Sequence, residues 1–185
     1  MQRLTLLAFF SLFHLAQAQF GKNCELRQLK INAISPGLEY EMATGVNSTL
    51  DIRVALKPSL DPFTESPLEN YELFPAITIQ NRYYYNFNGR DRRGNQIYGN
   101  SANFVAPSVS LFESGTRVVD GQVAEGAFAT AGLVTGLQRS FNSGLSFAID
   151  AGGAYYLGPF RGGIYPVLNL SIGWIISERR WCVGR

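Results

Sequence analysis

The chain has 185 residues, of which 46% are hydrophobic, and its 16 basic and 14 acidic residues leave a net charge of +2. This length suits one domain, and so small a net charge gives no sign of a nucleic-acid or strongly acidic partner. The composition, with 19 Gly, 13 Phe and 9 Tyr but only 2 Met, is typical of an all-β chain with many turns.

The first 18 residues have the three parts of a secretory signal peptide. Arg3 provides the basic start, an apolar run extends from Leu4 to Ala16, and Ala16-Gln17-Ala18 is a small-x-small cleavage site. The alternative, a membrane-anchoring helix, needs about 20 apolar residues, but this run is shorter and contains Ser11 and His14. We therefore expect a signal peptide at 1–18 and one mature domain at 19–185, with a net charge of about +1.

Two cysteines, Cys24 and Cys182, lie near the two ends of the mature chain, in what should be an oxidising compartment. They either form a disulfide or remain two unconnected thiols. A disulfide needs Cα atoms within about 7 Å, so pairing would require a fold that brings the ends together. A closed barrel whose first and last strands are neighbours would do so.

Alternation of apolar and polar residues marks the clearest strands, at 48–57, 143–156 and 163–177, and a less regular strand at 103–112. A further alternating run at 29–43 changes phase at Ser35-Pro36-Gly37, which indicates a β-bulge or a turn. Seven strands are clear in all, whereas bacterial single-chain barrels have an even number. Either this break separates two strands or an eighth strand lies within a loop.

The residues opposite the apolar faces are mostly Ser, Ala, Gly, Thr and Asn, with isolated ions. In a soluble sandwich those faces would meet water and be rich in charge. In a transmembrane barrel the apolar face meets lipid, and the small or polar face lines the interior. The pattern therefore predicts an all-β fold: a single antiparallel transmembrane β-barrel of eight strands.

Two stretches resemble the small outer-membrane β-barrel proteins of Bacteroidetes bacteria, most of them uncharacterised. They are ISPGLEYEMATGVNSTLDIRVAL (34–56) and NRYYYNFNGRDRRGNQIYGNSANFVA (81–106), and the resemblance covers roughly the first 110 residues. In that family an S-P-G-x-x-Y-E strand leads through a tight turn to an S-T-L strand, and an aromatic-ended strand leads to a basic turn. The resemblance implies a barrel in the bacterial cell outer membrane, and it supplies no catalytic residue.

Several ions fall on the faces that we expect to line the interior. An eight-stranded barrel has room there for side chains but not for a water-filled pore, and unpaired buried charges are costly. We expect a polar network that plugs the barrel; the alternative is a catalytic or ion-conducting site with Glu39 or Asp150 as general base. The predicted members of the network are Glu39, Glu41, Asp51, Arg53, Arg82, Tyr84 and Asp150.

Aromatic residues near the strand ends are expected to form girdles at the membrane boundary, where a ring with one wet end is favoured. In ITIQNRYYYNF (77–87) alternation places Tyr84 inside and its two tyrosine neighbours outside. The predicted girdle residues are Tyr83, Tyr85, Phe87, Tyr155 and Trp174.

The one histidine of the sequence, His14, lies in the predicted signal peptide. A mature chain without histidine excludes Ser-His hydrolysis and makes a zinc site improbable. That removes the lipid A deacylase and palmitoyltransferase types of small barrel. We expect no enzyme activity, no cofactor and no metal.

Two segments are candidate contact sites. Arg90, Arg92 and Arg93 in GRDRRG have the chemistry to bind anionic lipid headgroups or lipopolysaccharide phosphates, or they form a solvated hairpin end. The acidic loop 58–73 is a candidate contact for a protein partner or a cation, or an ordinary surface loop.

The sequence thus predicts a structural or accessory envelope protein that contacts outer-membrane lipid and acts through its loops. Two alternatives remain open at this point. One is a soluble periplasmic barrel that carries an apolar ligand, and the other is an accessory subunit of a larger outer-membrane complex.

Overall fold

The computed structural model describes residues 25–59, 72–119, 122–157 and 163–181. They form one antiparallel sheet whose first and last strands also pair, so the sheet closes into a barrel. The strands are β1 (Glu25–Asn32), β2 (Gly37–Gly45), β3 (Ser48–Ser59), β4 (Glu72–Tyr83), β5 (Asn103–Val119), β6 (Gln122–Ser140), β7 (Leu145–Leu157) and β8 (Gly163–Trp181). The prediction of an all-β barrel with eight antiparallel strands is confirmed. The predicted signal peptide at 1–18, Cys24, Cys182 and residues 60–71 of the predicted contact loop lie outside the described residues.

The phase change at Ser35-Pro36-Gly37 is a turn between two strands. Residues 33–36 form the turn, and Ile31 of β1 pairs with Leu38 of β2 on either side of it. This division supplies the strand that the sequence pattern left uncertain.

The two ends of the barrel differ in the segments that lie there. The end that holds Glu25 and Trp181, here called the terminal end, also has the turns at 46–47 and 141–144 and the long connection 84–102. At the opposite end, β5 and β6 continue to pair as far as Val119 and Gln122, beyond their last described pairs with β4 and β7. This opposite end is called the hairpin end.

The connection 84–102 folds across the terminal end. It contains α1 (Phe87–Arg92) and a single 3-10 turn (Tyr98–Asn100). Its residues Tyr84, Phe87 and Ala102 are buried with Phe104 of β5, and the Tyr84 and Phe104 rings lie edge-on with centroids 5.6 Å apart. No helix in the described ranges is long and apolar enough to cross a bilayer.

The prediction that Phe87 continues the outward face of β4 is wrong. The strand ends at Tyr83, four residues earlier, and α1 begins at Phe87 instead of the expected turn. The helix directs the ring into the cluster, where 8% of the residue is exposed. The alternation rule fails here because it applies only while the chain stays extended.

The outward face of the barrel is apolar and exposed, and the inward face is polar and buried. Outward residues such as Leu133, Leu168 and Ile164 have 63%, 70% and 81% of their surface exposed, whereas Glu39 and Arg82 on the inside are fully buried. The other four predicted girdle residues are exposed on the outside of the barrel: Tyr83, Tyr85, Tyr155 and Trp174.

Inward-facing glycines permit the close approach of neighbouring strands. A Cβ at Gly132 would collide with the backbone oxygen of Gly153 on β7, and one at Gly173 with that of Ile31 on β1. Glycine is needed at such positions because any side chain would push the strands apart.

Candidate functional site

The interior charges come from four consecutive strands, and the register sets them opposite one another. Lys30 of β1 pairs with Glu39 of β2, which in turn pairs with Arg53 of β3. Glu41 pairs in the same way with Asp51. Directly opposed residues on one face of a sheet lie about 5 Å apart at Cβ, so their side chains meet. Together with Arg82 of β4, these six residues are here called the interior network.

Glu39 lies at the centre of the first part of the network. One of its oxygens, Oε1, accepts from Lys30 Nζ at 2.8 Å and lies 3.5 Å from Arg82 Nη1. The other, Oε2, accepts from Arg53 Nε and from Asn32 Nδ2, both at 3.0 Å. Both lone-pair regions of the carboxylate are therefore used by donors inside the barrel.

Glu41 accepts hydrogen bonds from an unusually large set of donors. Its Oε1 accepts from Thr49 at 2.9 Å, Tyr84 at 2.7 Å and Asn100 at 2.8 Å. Its Oε2 accepts from Gln28, Lys30 and Gln138. These donors belong to strands on several sides of the barrel and to the connection 84–102, so this carboxylate joins the wall to the segment that closes the terminal end.

Asp51 completes the network between two arginines. Its Oδ1 accepts from Arg82 Nη2 at 3.0 Å and lies 3.6 Å from Arg53 Nη2. The three carboxylates are matched by three cations, and every one of these side chains is at most 2% exposed. The charges are thus compensated locally, as their complete burial requires.

Tyr84 follows the last residue of β4 and carries the connection into the interior. Burial, together with the neighbouring Glu41 carboxylate, holds the pKa of its phenol well above the usual value. The hydroxyl therefore stays protonated and donates to Glu41. The guanidinium of Arg82 lies 4.7 Å above the Phe104 ring in the same cluster, in cation–π distance.

Asp150 lies in the same interior but outside this set of ion pairs. Its Oδ1 accepts from Asn169 Nδ2 at 2.6 Å and from Gln80 Nε2 at 3.4 Å, and no cation of the described ranges lies within 4.0 Å. Asn169 in turn accepts from Lys57 Nζ at 3.0 Å. Asn169 thus connects Asp150 to Lys57 by hydrogen bonds.

The structure places all seven predicted network residues inside the barrel and brings six of them together. Asp150 forms none of the described ion pairs, but Gln80 connects it to Arg82 by hydrogen bonds. Sequence reasoning missed Lys30, Gln138 and Asn100. Lys30 was detectable, because it alternates with Leu29 and Ile31 on the polar side of β1. Asn100 was not, because it is placed by the tertiary fold of the connection.

The three carboxylates Glu39, Glu41 and Asp51 lie close enough for a metal ion, with ligand oxygens within 4.8 Å of one another. Their oxygens already accept from lysine and arginine, so a cation there would have to displace charged donors. Carboxylates whose partners are fixed cations form ion pairs rather than a vacant coordination shell.

No protein-family model, no curated protein and no solved structure matches this chain.

Proposed function

We propose that the chain is a small outer-membrane β-barrel with a plugged, charge-paired interior, and that it has a structural or accessory role in the bacterial envelope. The observation that carries the proposal is the inversion of polarity: leucine and isoleucine are exposed outside, and lysine, arginine and glutamate are buried inside. A soluble monomer rarely exposes a contiguous apolar patch of more than a few hundred Å², whereas a lipid-facing wall requires one.

The exposed aromatics support the same arrangement. Tyr83, Tyr85 and Trp174 are each about half exposed, at 50%, 57% and 51%. Tyr83 is the last residue of β4, Tyr85 follows two residues later, and Trp174 of β8 pairs with Leu145, the first residue of β7. Tyr155 occupies the corresponding outward position towards the hairpin end of β7. Two aromatic bands that border an apolar wall are typical of outer-membrane barrels.

A closed interior argues against a channel or an apolar carrier. Large side chains such as Arg53, Arg82 and Tyr84 fill the barrel, and the connection 84–102 covers the terminal end. An apolar ligand would have to displace compensated ions, which weakens the alternative of a soluble ligand-carrying barrel. The alternative of an accessory subunit is compatible with the same wall and interior.

The resemblance of residues 34–56 and 81–106 to the small Bacteroidetes barrels supports the proposed location. With the wall in lipid and the interior plugged, the loops are the surfaces that remain for contacts. Both oxygens of Glu39 and of Glu41 accept hydrogen bonds. This favours a structural role over general-base catalysis for these two carboxylates, because a base needs a free lone pair near its substrate.

Two matched substitutions on β5 test whether the wall faces lipid. Val109 and Val105 both point outward and are similarly exposed, at 46% and 41%, but Val109 lies mid-wall and Val105 pairs with Tyr83 near the terminal end. In lipid we expect Val109→Arg to cost about 2–4 kcal/mol and Val105→Arg about 0–1 kcal/mol. Urea unfolding of the protein refolded into phosphatidylcholine vesicles measures both.

A water-facing wall would give near-zero costs for both variants. Fractionation of cells that contain the native protein is a second test of membrane location. We expect the protein in the membrane fraction, released by detergent and with a heat-modifiable mobility on gels. A detergent-free monomer in the periplasmic fraction would refute the membrane proposal, and co-purification of a stoichiometric partner in mild detergent would favour the accessory-subunit alternative.

A further inference from the structure

Four arginines lie together at the terminal end, outside the interior network. Arg90 and Arg92 belong to α1, Arg93 follows it, and Arg139 lies near the end of β6. Arg92 and Arg93 are exposed, and the other two are partly exposed. Arg139 lies close enough to Arg90 to experience its positive charge. These four residues are here called the arginine rim.

The rim is held in place by polar contacts between the connection 84–102 and the neighbouring β6–β7 turn. Gln96 Nε2 donates to Ser140 O at 2.9 Å and to Asn142 Oδ1 at 3.2 Å, and Gln96 O accepts from Arg90 Nη2 at 3.1 Å. Arg139 Nη2 donates to Asn103 Oδ1 at 2.8 Å. Arg90 and Arg139 are therefore each held by a hydrogen bond, one on either side of the rim.

No carboxylate within the described ranges compensates the rim. None of its arginines forms an ion pair within 4.0 Å there, and the exposed Asp91 of α1 is not paired with them. The described hydrogen bonds use one N–H of Arg90 and one of Arg93. A guanidinium carries five N–H donors. The Nε of Arg90 is buried, but the other N–H groups that these bonds do not use are available to an anion.

The rim adjoins the outward aromatics. Tyr83, the last residue of β4, and Tyr85, two residues after it, are both exposed on the outside, and the connection that they begin continues into α1. In membrane proteins, aromatic rings commonly lie at the level of the lipid headgroups, and basic side chains lie next to them, beside the lipid phosphates.

We propose that the arginine rim binds the phosphodiester headgroups of anionic phospholipids in the leaflet at the terminal end. The proposal rests on the proposed membrane location. Two short turns, 46–47 and 141–144, lie at this end together with the start of β1 and the end of β8. Short turns are typical of the periplasmic side of a bacterial barrel, and we assign the terminal end to that side although it also has the longer connection 84–102. The lipid there is phospholipid, and guanidinium forms paired, charge-assisted hydrogen bonds with phosphate oxygens.

Lipid titration of the delipidated mature protein in neutral detergent, followed by native mass spectrometry, tests this site. The probes are phosphatidylglycerol and phosphatidylcholine with the same acyl chains. The wild-type protein should bind phosphatidylglycerol at least about tenfold more tightly, because each arginine near an anionic lipid contributes about fivefold.

The combined variant Arg90→Gln, Arg92→Gln, Arg93→Gln should lose this preference. The matched control is Arg27→Gln, which removes an exposed arginine of β1 at the same end of the barrel but outside the rim; it should retain the preference. Heat-modifiable mobility establishes that each variant is folded before it is titrated.

Equal wild-type binding of the two lipids, or an unchanged preference in the triple variant, would overturn the proposal. So would equal loss in Arg27→Gln, which would indicate net charge rather than a site. Displacement by millimolar inorganic phosphate would identify a site for free phosphate, and tighter binding of lipid A would place the rim in the other leaflet. A wild-type protein that is soluble without detergent would overturn the proposed function as well, whereas a heat-modifiable membrane protein without lipid preference would overturn this inference alone.

Discussion

Two adjacent tyrosines provide a matched test of the interior. Tyr84 is 1% exposed and its hydroxyl donates to Glu41 at 2.7 Å, whereas Tyr85 is 57% exposed on the outside. Replacing Tyr84 by Phe removes that hydroxyl but keeps the ring against Phe87 and Phe104. A buried hydrogen bond to a charged group contributes about 1.5–3 kcal/mol. Because five other donors still reach Glu41, we expect a loss near the lower value, about 1.5 kcal/mol.

Tyr85→Phe should change the free energy of unfolding by less than about 0.5 kcal/mol, as exposed substitutions usually do. Equilibrium urea unfolding in phosphatidylcholine vesicles measures both variants, and about 1.4 kcal/mol corresponds to a tenfold change in the unfolding equilibrium. Equal effects, or a larger effect for Tyr85→Phe, would refute the assignment of Tyr84 to the interior.

Three further outcomes are expected. Glu41→Ala leaves three buried cations with two carboxylates and deprives six buried donors of their acceptor, so it should destabilise the barrel by about 3–5 kcal/mol. A loss below about 1 kcal/mol in urea unfolding would show that water reaches the site. Gly132→Ala should destabilise the barrel by more than about 1 kcal/mol, because its Cβ would collide with a neighbouring backbone. Gly153→Ala should be tolerated, because its Cβ would meet its nearest atom at 3.5 Å. Equal melting temperatures of the two variants would contradict the requirement for glycine at position 132. Cys24 and Cys182 directly adjoin Glu25 and Trp181, which pair across β1 and β8, so a thiol assay under denaturing, non-reducing conditions should find no free thiol; two free thiols would disprove the disulfide.

Alternation along single strands was sufficient to predict most of the interior. Glu39, Glu41, Asp51 and Arg53 lie on strands whose apolar face is unambiguous, so their side followed from a period of two. The inward position of Tyr84 could be predicted from the same alternation, because the residue after β4 still points inward.

The same reasoning could not place the connection 84–102. Once the chain leaves β4, the side of each residue depends on how α1 packs across the barrel, and Phe87 was misplaced for that reason. Asn100, with a φ of 60°, donates to Glu41 from a left-handed conformation that alternation does not describe. The pattern along one strand also could not predict that Asp150 would accept a hydrogen bond from Asn169 instead of pairing with an arginine. That contact depends on which strands are neighbours in the barrel.

The position of Glu41 has a consequence for assembly. Its donors are separated from it by as few as 8 and as many as 97 residues along the chain, so no single hairpin contains them all. A partly assembled sheet would hold this carboxylate with only some of its partners, and an uncompensated buried charge is costly. We therefore expect most of the stability to be gained in the last step of folding, when β6 pairs with its neighbours and the connection 84–102 docks. Folding of the barrel should then be cooperative, with few open intermediates.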